Sequence, residues 1–387
     1  MHRKSFISQY LQDLVPVAFE LESAQEFHMM GTGPAQFKVK LKREIPKREL
    51  LKSTSLALGE AYVRGDLELD RDLYEVLDMF LGQMDRFRLN PSALHGLLHS
   101  SLAAKHQKQE ISSHYDIGND FYRLWLDETM SYSCGYFQNP GNTLFEAQVE
   151  KTDRILKKLH LEMGMTLLDI GCGWGFLLMR AARRYGVKGL GITLSEEQYQ
   201  QFSREIKEQK LEDRLEVRLM DYRKLEKSGL QFDRLVSVGM IEHVGRGNYE
   251  TFLKNASAVL KPGGLFLLHF ISAQKEHAGD PFIRKYIFPG GVIPSLREMM
   301  NLLPEYEFRT LDVESLRRHY TQTLLCWREN FCRHKELVTA QRGEEFVRIW
   351  ELYLASCAAA FHQGVVDLHQ ILMSRGVNNE LPMVRVV

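Results

Sequence analysis

Residues 166–175 have the sequence Thr-Leu-Leu-Asp-Ile-Gly-Cys-Gly-Trp-Gly. The apolar run is typical of a buried strand, and the helical pattern FLLMRAARRYG follows the glycines directly. Gly171, Gly173 and Gly175 permit a tight strand-to-helix turn, and the start of a helix favours negatively charged groups. Their G-x-G-x-G spacing after Asp169 differs from the G-x-G-x-x-G of dinucleotide-binding turns. The stretch therefore predicts a turn that brings backbone close to a different ligand.

Segments typical of strands and helices alternate after this turn. The strand-like segments are VKGLGIT, LEVRLM, FDRLVSVG and GLFLLHFI, and the helix-like ones are SEEQYQQFSREIKEQ and NYETFLKNASAVL. This alternation predicts a parallel or mostly parallel sheet with helices on both faces, which is a doubly wound, Rossmann-like α/β domain. We assign the loop FPGGVIPS and the helical segments near the C-terminus to a cap over the carboxyl edge of the sheet.

The length of 387 residues suggests two domains. Residues 1–80 contain short alternating segments such as FKVKLK and helical stretches such as LYEVLDMFL, which predict a small α+β domain. Residues 81–109 have little clean periodicity and are predicted to be a linker. The larger domain is expected to occupy residues 110–387.

Composition and charge exclude several classes of protein. Fifty basic and fifty acidic side chains balance, so no global positive field indicates a nucleic-acid partner. The five cysteines include no CxxC pair, which predicts neither a disulfide framework nor a zinc site; we expect no metal, and a reducing cytosol fits. No apolar run approaches the ~18 residues that span a bilayer, and the first residues do not resemble a signal peptide.

A basic stretch near the N-terminus has two interpretations. It comprises Lys38, Lys40, Lys42, Arg43, Lys47, Arg48 and Lys52, interrupted by Glu44 and Glu49. The stretch is either an ordinary solvated face or a patch that binds lipid head groups.

The glycine turn resembles motif I of class I S-adenosylmethionine (SAM) methyltransferases. In that family the glycines lie against the methionine portion and the acid orients its ammonium group, a role that the resemblance gives to Asp169. Many members also carry an acid at the end of the second strand for the ribose, but here Thr193 and Gln198 can offer hydrogen bonds instead. Asp221 and Tyr222, at the end of the third strand, are expected at the edge and face of adenine.

Further motifs make the resemblance specific. The segments HYDIGNDFY (114–122) and MSYSCGYF (130–137) are similar to the signature of cyclopropane fatty acid synthases and mycolic acid cyclopropane synthases. Other matches follow in family order at GMIEHVG (239–245), LHFI (268–271) and YIFPGG (286–291). Near the N-terminus, GEAYVRGDLELDRDL is similar to the domain of the phospholipid-acting branch, which implies a lipid-interacting role for that domain.

The family resemblance implies an activity and a set of site residues. It implies methylene transfer from SAM to the cis double bond of an unsaturated phospholipid acyl chain, with a bound bicarbonate ion as the base. The residues that match the family's anion site are Cys134, Glu242, His269, Ile271 through its backbone, and Tyr320. The residues expected to bind SAM are Tyr115, Tyr132, Ser133, Asp169, Gly171, Gly173, Trp174, Thr193, Gln198, Asp221 and Tyr222. Singly, each has a structural explanation; together they indicate a shared site.

Other functions stay open at this stage. A related enzyme would methylate the same double bond and leave a methyl-branched product. A SAM enzyme for a small polar acceptor and a non-catalytic lipid-binding protein are two further alternatives. Resemblance to the phospholipid-acting branch also implies a homodimer in the cytoplasm, peripherally associated with the inner face of the cell membrane.

Overall fold

The computed structural model describes residues 17–23, 27–83, 117–277 and 279–384. The described chain forms two compact units. The first contains the described residues up to Gln83 together with Gly279–Pro289 and Leu324–Val365, and the second contains the rest. The predicted domain division thus stays a prediction: most of the expected linker lies outside the described residues, and packing groups two later segments with the N-terminal part.

The strands and helices are numbered in chain order. The strands are β1 (Phe19–Ser23), β2 (Phe27–Met30), β3 (Lys38–Leu41), β4 (Leu67–Leu69), β5 (Thr166–Ile170), β6 (Lys188–Thr193), β7 (Leu215–Leu219), β8 (Phe232–Val238), β9 (Leu260–Ser272), β10 (Phe308–Ser315) and β11 (Asp367–Arg375). The helices are α1 (Lys47–Lys52), α2 (Thr54–Val63), α3 (Leu73–Leu81), α4 (Asn119–Arg123), α5 (Leu144–Lys158), α6 (Phe176–Tyr185), α7 (Glu196–Glu208), α8 (Tyr249–Val259), α9 (Pro281–Tyr286), α10 (Leu296–Leu302), α11 (Arg317–Arg333), α12 (Lys335–Arg342) and α13 (Glu344–His362).

The second unit is built on a sheet with the described strand order β10-β11-β9-β8-β5-β6-β7. The pairs from β9 to β7 are parallel, as the alternation of segments predicts. Two apolar clusters contain the inward side chains of these strands and of helices α6, α7 and α8. The predicted doubly wound α/β fold is confirmed, and the carboxyl ends of β5, β6 and β8 meet at one edge, where such folds bind ligands.

The C-terminal region differs from the predicted cap of helices and loops. Strands β10 and β11 extend the sheet beyond β9, and both of their pairings are antiparallel. The pattern of β11 hides this strand because three of its buried residues, His369, Gln370 and Ser374, are polar. Hydrophobic periodicity cannot detect a buried strand whose polar side chains are satisfied inside the protein.

The N-terminal part of the first unit is the expected small α+β structure. Its described sheet has the order β2-β1-β3-β4, and its inward side chains share an apolar cluster with α1, α2 and α3. The segment ELLKSTSLALGEAYV (49–63) contains the end of α1 and the whole of α2. Ser53 separates them, because its hydroxyl accepts a hydrogen bond from the Leu56 N–H at 3.3 Å and caps the start of α2.

Much of the basic stretch is paired across this sheet. Lys38 lies 2.8 Å from Glu20, and Lys40 lies 3.5 Å from Glu22. Lys42 pairs with Glu68, and Arg43 with Asp66. These pairs favour the solvated-face interpretation for the strand residues, whereas Arg48 and Lys52 on α1 are exposed beside the exposed Leu51. No described helix is long and apolar enough to cross a membrane.

Candidate active site

The glycine turn forms as the sequence predicts, between β5 and α6. Gly171, Gly173 and Gly175 all have positive φ angles, of 85°, 55° and 89°. A Cβ atom at Gly175 would overlap the ring of Phe202, and one at Gly171 would lie 2.8 Å from the Met240 side chain. Gly171 and Gly175 therefore need glycine for both conformation and space, whereas Gly173 needs it for conformation alone.

A pocket opens at this turn. It is lined by the sequence-predicted residues Tyr132, Ser133, Asp169, Gly171, Gly173, Trp174, Thr193, Gln198 and Tyr222. Asp221 is not among its lining residues. Arg223 Nε donates to Asp221 Oδ1 at 2.9 Å. Burial acts to raise the pKa of Asp221, but the hydrogen bonds from Arg223 hold it below its usual value. The expected contact of Asp221 with adenine stays a prediction. Tyr115 lies outside the described residues.

Asp169 is a buried acid at the floor of the pocket. Burial raises its pKa to about 7, against the opposing effect of Lys151. Its Oδ1 has no hydrogen-bond partner among the described residues. A buried carboxylate oxygen without a donor is costly unless a ligand supplies one, and an ammonium group is a suitable donor.

Lys151 is a pocket residue that the sequence analysis did not single out. Its Nζ donates to Ser133 Oγ at 2.9 Å, and burial lowers its pKa to about 8 although Asp127, Cys134 and Asp169 act to raise it. The sequence feature that could have identified Lys151 is its position on the buried face of α5, four residues from both Ala147 and Ile155. A lysine on such a stripe needs acidic or polar partners inside the fold.

Polar groups from two more strand ends complete the pocket. Thr193 donates to Gln198 Oε1 at 2.8 Å, and the Thr193 oxygen accepts from the Ser195 N–H. Ser195 in turn caps the start of α7. The Tyr222 hydroxyl is buried with no hydrogen-bond partner among the described residues, and burial raises the pKa of Tyr222 to about 12. These groups can meet the ribose and base of a nucleoside.

Aromatic rings also line the pocket, among them those of Tyr132 and Trp174. The Trp174 indole N–H donates to Asn119 Oδ1 at 2.8 Å. The Tyr122 ring centroid lies 5.4 Å from that of Trp174 and 5.6 Å from that of Tyr132. Helix α4 thus fixes the two rings that enter the pocket, where aromatic faces can stabilise a sulfonium charge.

Glu242 and Ile271 lie together beyond β8. Glu242 is in the 3₁₀ turn Ile241–His243, and its Oε1 accepts from the Ile271 N–H at 2.7 Å. Its Oε2 is buried and has no hydrogen-bond partner among the described residues. Burial raises the pKa of Glu242 to about 7. The backbone N–H of Ile271 therefore donates to one of the two carboxylate oxygens of Glu242.

His269 lies two residues before Ile271 on β9. Its backbone carbonyl accepts from the Gly239 N–H at 2.8 Å, and its Nδ1 lies 3.1 Å from Gln370 Nε2. Its Nε2 has no partner among the described residues. Burial holds the pKa of His269 well below its usual value, so the imidazole is neutral.

Cys134 and Tyr320 both donate hydrogen bonds to one carbonyl group, that of Leu316. The Leu316 carbonyl accepts from the Cys134 thiol at 3.8 Å and from the Tyr320 N–H at 3.1 Å. The Leu316 N–H bonds the carbonyl of Leu368, which is opposite Ile271 in the sheet. Burial raises the pKa of the Cys134 thiol, so it is a neutral group and not a nucleophilic thiolate.

This buried polar cluster adjoins the pocket through neighbouring residues of the chain. Ser133 and Met240 line the pocket, and Cys134 and Glu242 follow them by one and two residues. The structure thus brings the five predicted anion-site residues into one part of the second unit. It also shows that two polar atoms of this cluster, Glu242 Oε2 and His269 Nε2, lack a partner in the described chain.

The fold and pocket define a class I SAM-dependent methyltransferase. A solved structure of mycolic acid cyclopropane synthase CmaA1 complexed with SAH and CTAB matches with a TM-score of 0.65 and 35% identity, covering 69% of this chain and 98% of that one. The family model for mycolic acid cyclopropane synthetase matches residues 103–371. The chain belongs to this family.

Two relatives match over nearly the whole chain. A protein of Pseudomonas putida described as a probable fatty acid methyltransferase is 39% identical over 94% of this chain and 93% of its own length. The cyclopropane-fatty-acyl-phospholipid synthase of Escherichia coli K12 is 38% identical over 95% of each chain. Residues 3–92 match a separate model, a domain of unknown function.

Proposed function

We propose that this enzyme transfers a methylene group from SAM to the cis double bond of unsaturated phospholipid acyl chains and closes a cyclopropane ring. The observation that carries the proposal is the buried cluster beside the cofactor pocket, with unpartnered polar atoms on Glu242 and His269. Unsatisfied buried groups of this kind cost about 1–3 kcal/mol each, so a ligand that satisfies them is favoured.

Bound SAM supplies an electrophilic methyl group. The proposed task of Asp169 and the glycine turn is to hold its amino-acid end, while Thr193, Gln198 and Tyr222 meet the nucleoside. Trp174 and Tyr132 exclude water from the sulfonium side. Orientation of an olefin in line with the methyl group can contribute about 7–11 kcal/mol to lowering the barrier.

Ring closure requires removal of a proton from the newly added methyl group, and His269 and Cys134 are poor bases for this step. The lowered pKa of His269 leaves its imidazole neutral and weakly basic. The raised pKa of Cys134 leaves its thiol unionised. A bound bicarbonate ion would supply the base. Glu242 can accept its O–H, and His269 and Tyr320 can donate hydrogen bonds to its oxygens.

The choice of a phospholipid over another lipid rests on the N-terminal part of the chain. The whole-length E. coli relative is named for a phospholipid substrate. Helix α1 exposes Arg48, Leu51 and Lys52 together, a combination of charge and apolar surface that suits an anionic membrane surface. We include peripheral binding to the inner face of the cell membrane, a cytoplasmic location and a homodimer in the proposal, to be tested by vesicle flotation and analytical ultracentrifugation.

The test is product analysis on unsaturated phospholipid vesicles with the protein, SAM and bicarbonate. A gain of one methylene mass, loss of the olefin and a cyclopropane proton signal are expected. The Glu242→Gln enzyme should lose the product, whereas the matched exposed variant Glu250→Gln should retain it. No mass gain with bound SAM would mean a different acceptor and would reject the proposal.

A second candidate is methylation of the same double bond without ring closure. The P. putida relative, described as a probable fatty acid methyltransferase, favours it. A mass gain with a methyl-branched or methylene product in the same assay would select this activity over ring formation.

A further inference from the structure

Gln370 is a buried amide beside His269 that the proposed chemistry does not use. It lies on β11, directly opposite His269 in the antiparallel pairing with β9. Its Nε2 is 3.1 Å from His269 Nδ1, and its Oε1 is 2.9 Å from Lys158 Nζ. The side chains of Lys158, Gln370 and His269 are therefore connected in series by two hydrogen bonds inside the second unit.

The directions of both hydrogen bonds follow from the chemistry of the end groups. The ammonium of Lys158 can only donate, so the oxygen of the Gln370 amide must face it. The amide nitrogen then faces His269, and because an amide NH₂ donates, His269 Nδ1 must be the acceptor. A neutral imidazole with an accepting Nδ1 carries its proton on Nε2.

Lys158 is itself held in place, so the amide cannot easily reverse. Its Nζ lies 2.6 Å from Glu314 Oε2, and Arg154 Nε donates to the same carboxylate oxygen at 3.1 Å. Glu314 is on β10 and Lys158 is the last residue of α5. Two neighbouring elements thus fix the orientation of Gln370, which is fully buried.

The result is an N–H group with no acceptor in the described chain. His269 Nε2 is the atom without a hydrogen-bond partner, and the His269 backbone is held by the Gly239 N–H. A buried N–H donor kept free of protein acceptors is arranged to meet a ligand acceptor. With the opposite tautomer, the same ring would present a lone pair and repel an anion.

We propose that Lys158 and Gln370 are positioning residues that fix His269 as an Nε2–H donor to the anion of the reaction. This inference rests on the proposed function, because it assigns His269 to that anion. It concerns the protonation site of one ring, which can be measured without turnover.

The test combines ¹⁵N NMR of the histidine ring nitrogens with turnover of the full-length enzyme. Loss of signals in His269→Gln identifies the ring among the 14 histidines. In the wild-type protein at neutral pH, His269 is expected as the Nε2–H tautomer. In Gln370→Glu the carboxylate, kept ionised by Lys158, accepts from Nδ1–H and reverses the tautomer.

Reversal should lower kcat by about 100-fold or more, the scale of an imidazole held in the wrong tautomer, with little change in KM for SAM. Gln370→Met has nearly the same size and no hydrogen bond, so it should release the ring to a tautomer mixture with a smaller loss. Gln231→Glu is the matched control, since this exposed residue lies before β8 and its amide bonds only the Ala258 carbonyl among the described groups.

Three results would overturn the inference. They are an Nδ1–H tautomer in the wild-type ring, an unchanged tautomer in Gln370→Glu, or a reversed tautomer with normal cyclopropane formation. The proposed function fails separately, when wild-type enzyme modifies no unsaturated lipid while the tautomers behave as expected.

Discussion

The cofactor pocket and the polar cluster beside it are built in different ways. The pocket centres on one continuous turn, Gly171–Gly175, whose conformation follows from its own glycines. The cluster draws Cys134, Glu242, His269 and Tyr320 from four separate parts of the chain, and its supporting amide comes from the antiparallel strand β11. Local sequence can specify the first region, whereas the second exists only when the sheet has formed.

The acids of the two regions are alike in burial but differ in the group beside them. Asp169 and Glu242 each have one buried oxygen without a partner among the described residues, and burial raises the pKa of both to about 7. Asp169 has the cation Lys151 nearby, while Glu242 has a backbone N–H. The proposed roles predict that a change at Asp169 affects cofactor binding and a change at Glu242 affects the chemical step.

The largest expected effect is on turnover by Glu242→Gln. Loss of the carboxylate that accepts the bicarbonate O–H should lower kcat by about 10²–10⁴-fold, the scale of general acid–base catalysis. The affinity for SAM should remain within about threefold, because Glu242 does not line the cofactor pocket. Stopped assays on phospholipid vesicles and calorimetric SAM titration measure the two quantities; equal losses in both would place Glu242 in cofactor binding.

A glycine substitution tests the local turn. Gly175→Ala forces alanine into a left-handed conformation and pushes its Cβ onto Phe202, which should lower the free energy of unfolding by about 2–4 kcal/mol. The control Gly229→Ala has a φ of 70° but open space around the Cβ position, so it should lose only about 1–2 kcal/mol. Urea denaturation gives both values, and similar losses would show that Phe202 moves aside.

In contrast to Gly175→Ala, the substitution Glu242→Gln should raise the free energy of unfolding. The pKa of Glu242 is raised from 4.5 to about 7 in the folded protein, so the folded state holds a proton that the unfolded chain releases, and stability falls as pH rises between these values. Above pH 7 the variant avoids a buried charge and should be up to about 3 kcal/mol more stable than the wild type. The advantage should vanish near pH 4 in thermal unfolding, and a pH-independent difference would contradict the linkage.

The smallest expected effect is on cofactor affinity. Asp169→Asn removes the charge offered to an ammonium group and should raise the Kd for SAM by about 10–100-fold. An analogue that lacks the amino group should lose much less affinity on the same substitution. The exposed change Asp213→Asn serves as the control, and an equal penalty for both ligands would reject the ammonium contact.

The parallel half of the fold could be predicted because each strand and helix has its own periodic signal. The predicted TLLDI and VKGLGIT segments became β5 and β6, and the helices after them begin where the sequence places glycine and serine. Strand β11 could not be predicted, since Gln370 and His369 interrupt its apolar pattern and are satisfied by Lys158 and Ser272 from other elements.

The sequence by itself determined the cofactor turn and the alternation of parallel strands and helices, and family resemblance supplied the expected residues of the cluster. Such features depend on neighbouring residues or on motifs that a linear pattern retains. Only the tertiary structure decided that Lys151 faces the pocket and that Gln370 adjoins His269. Hydrogen bonds and burial between residues far apart in the chain decide these points, and no local pattern encodes them.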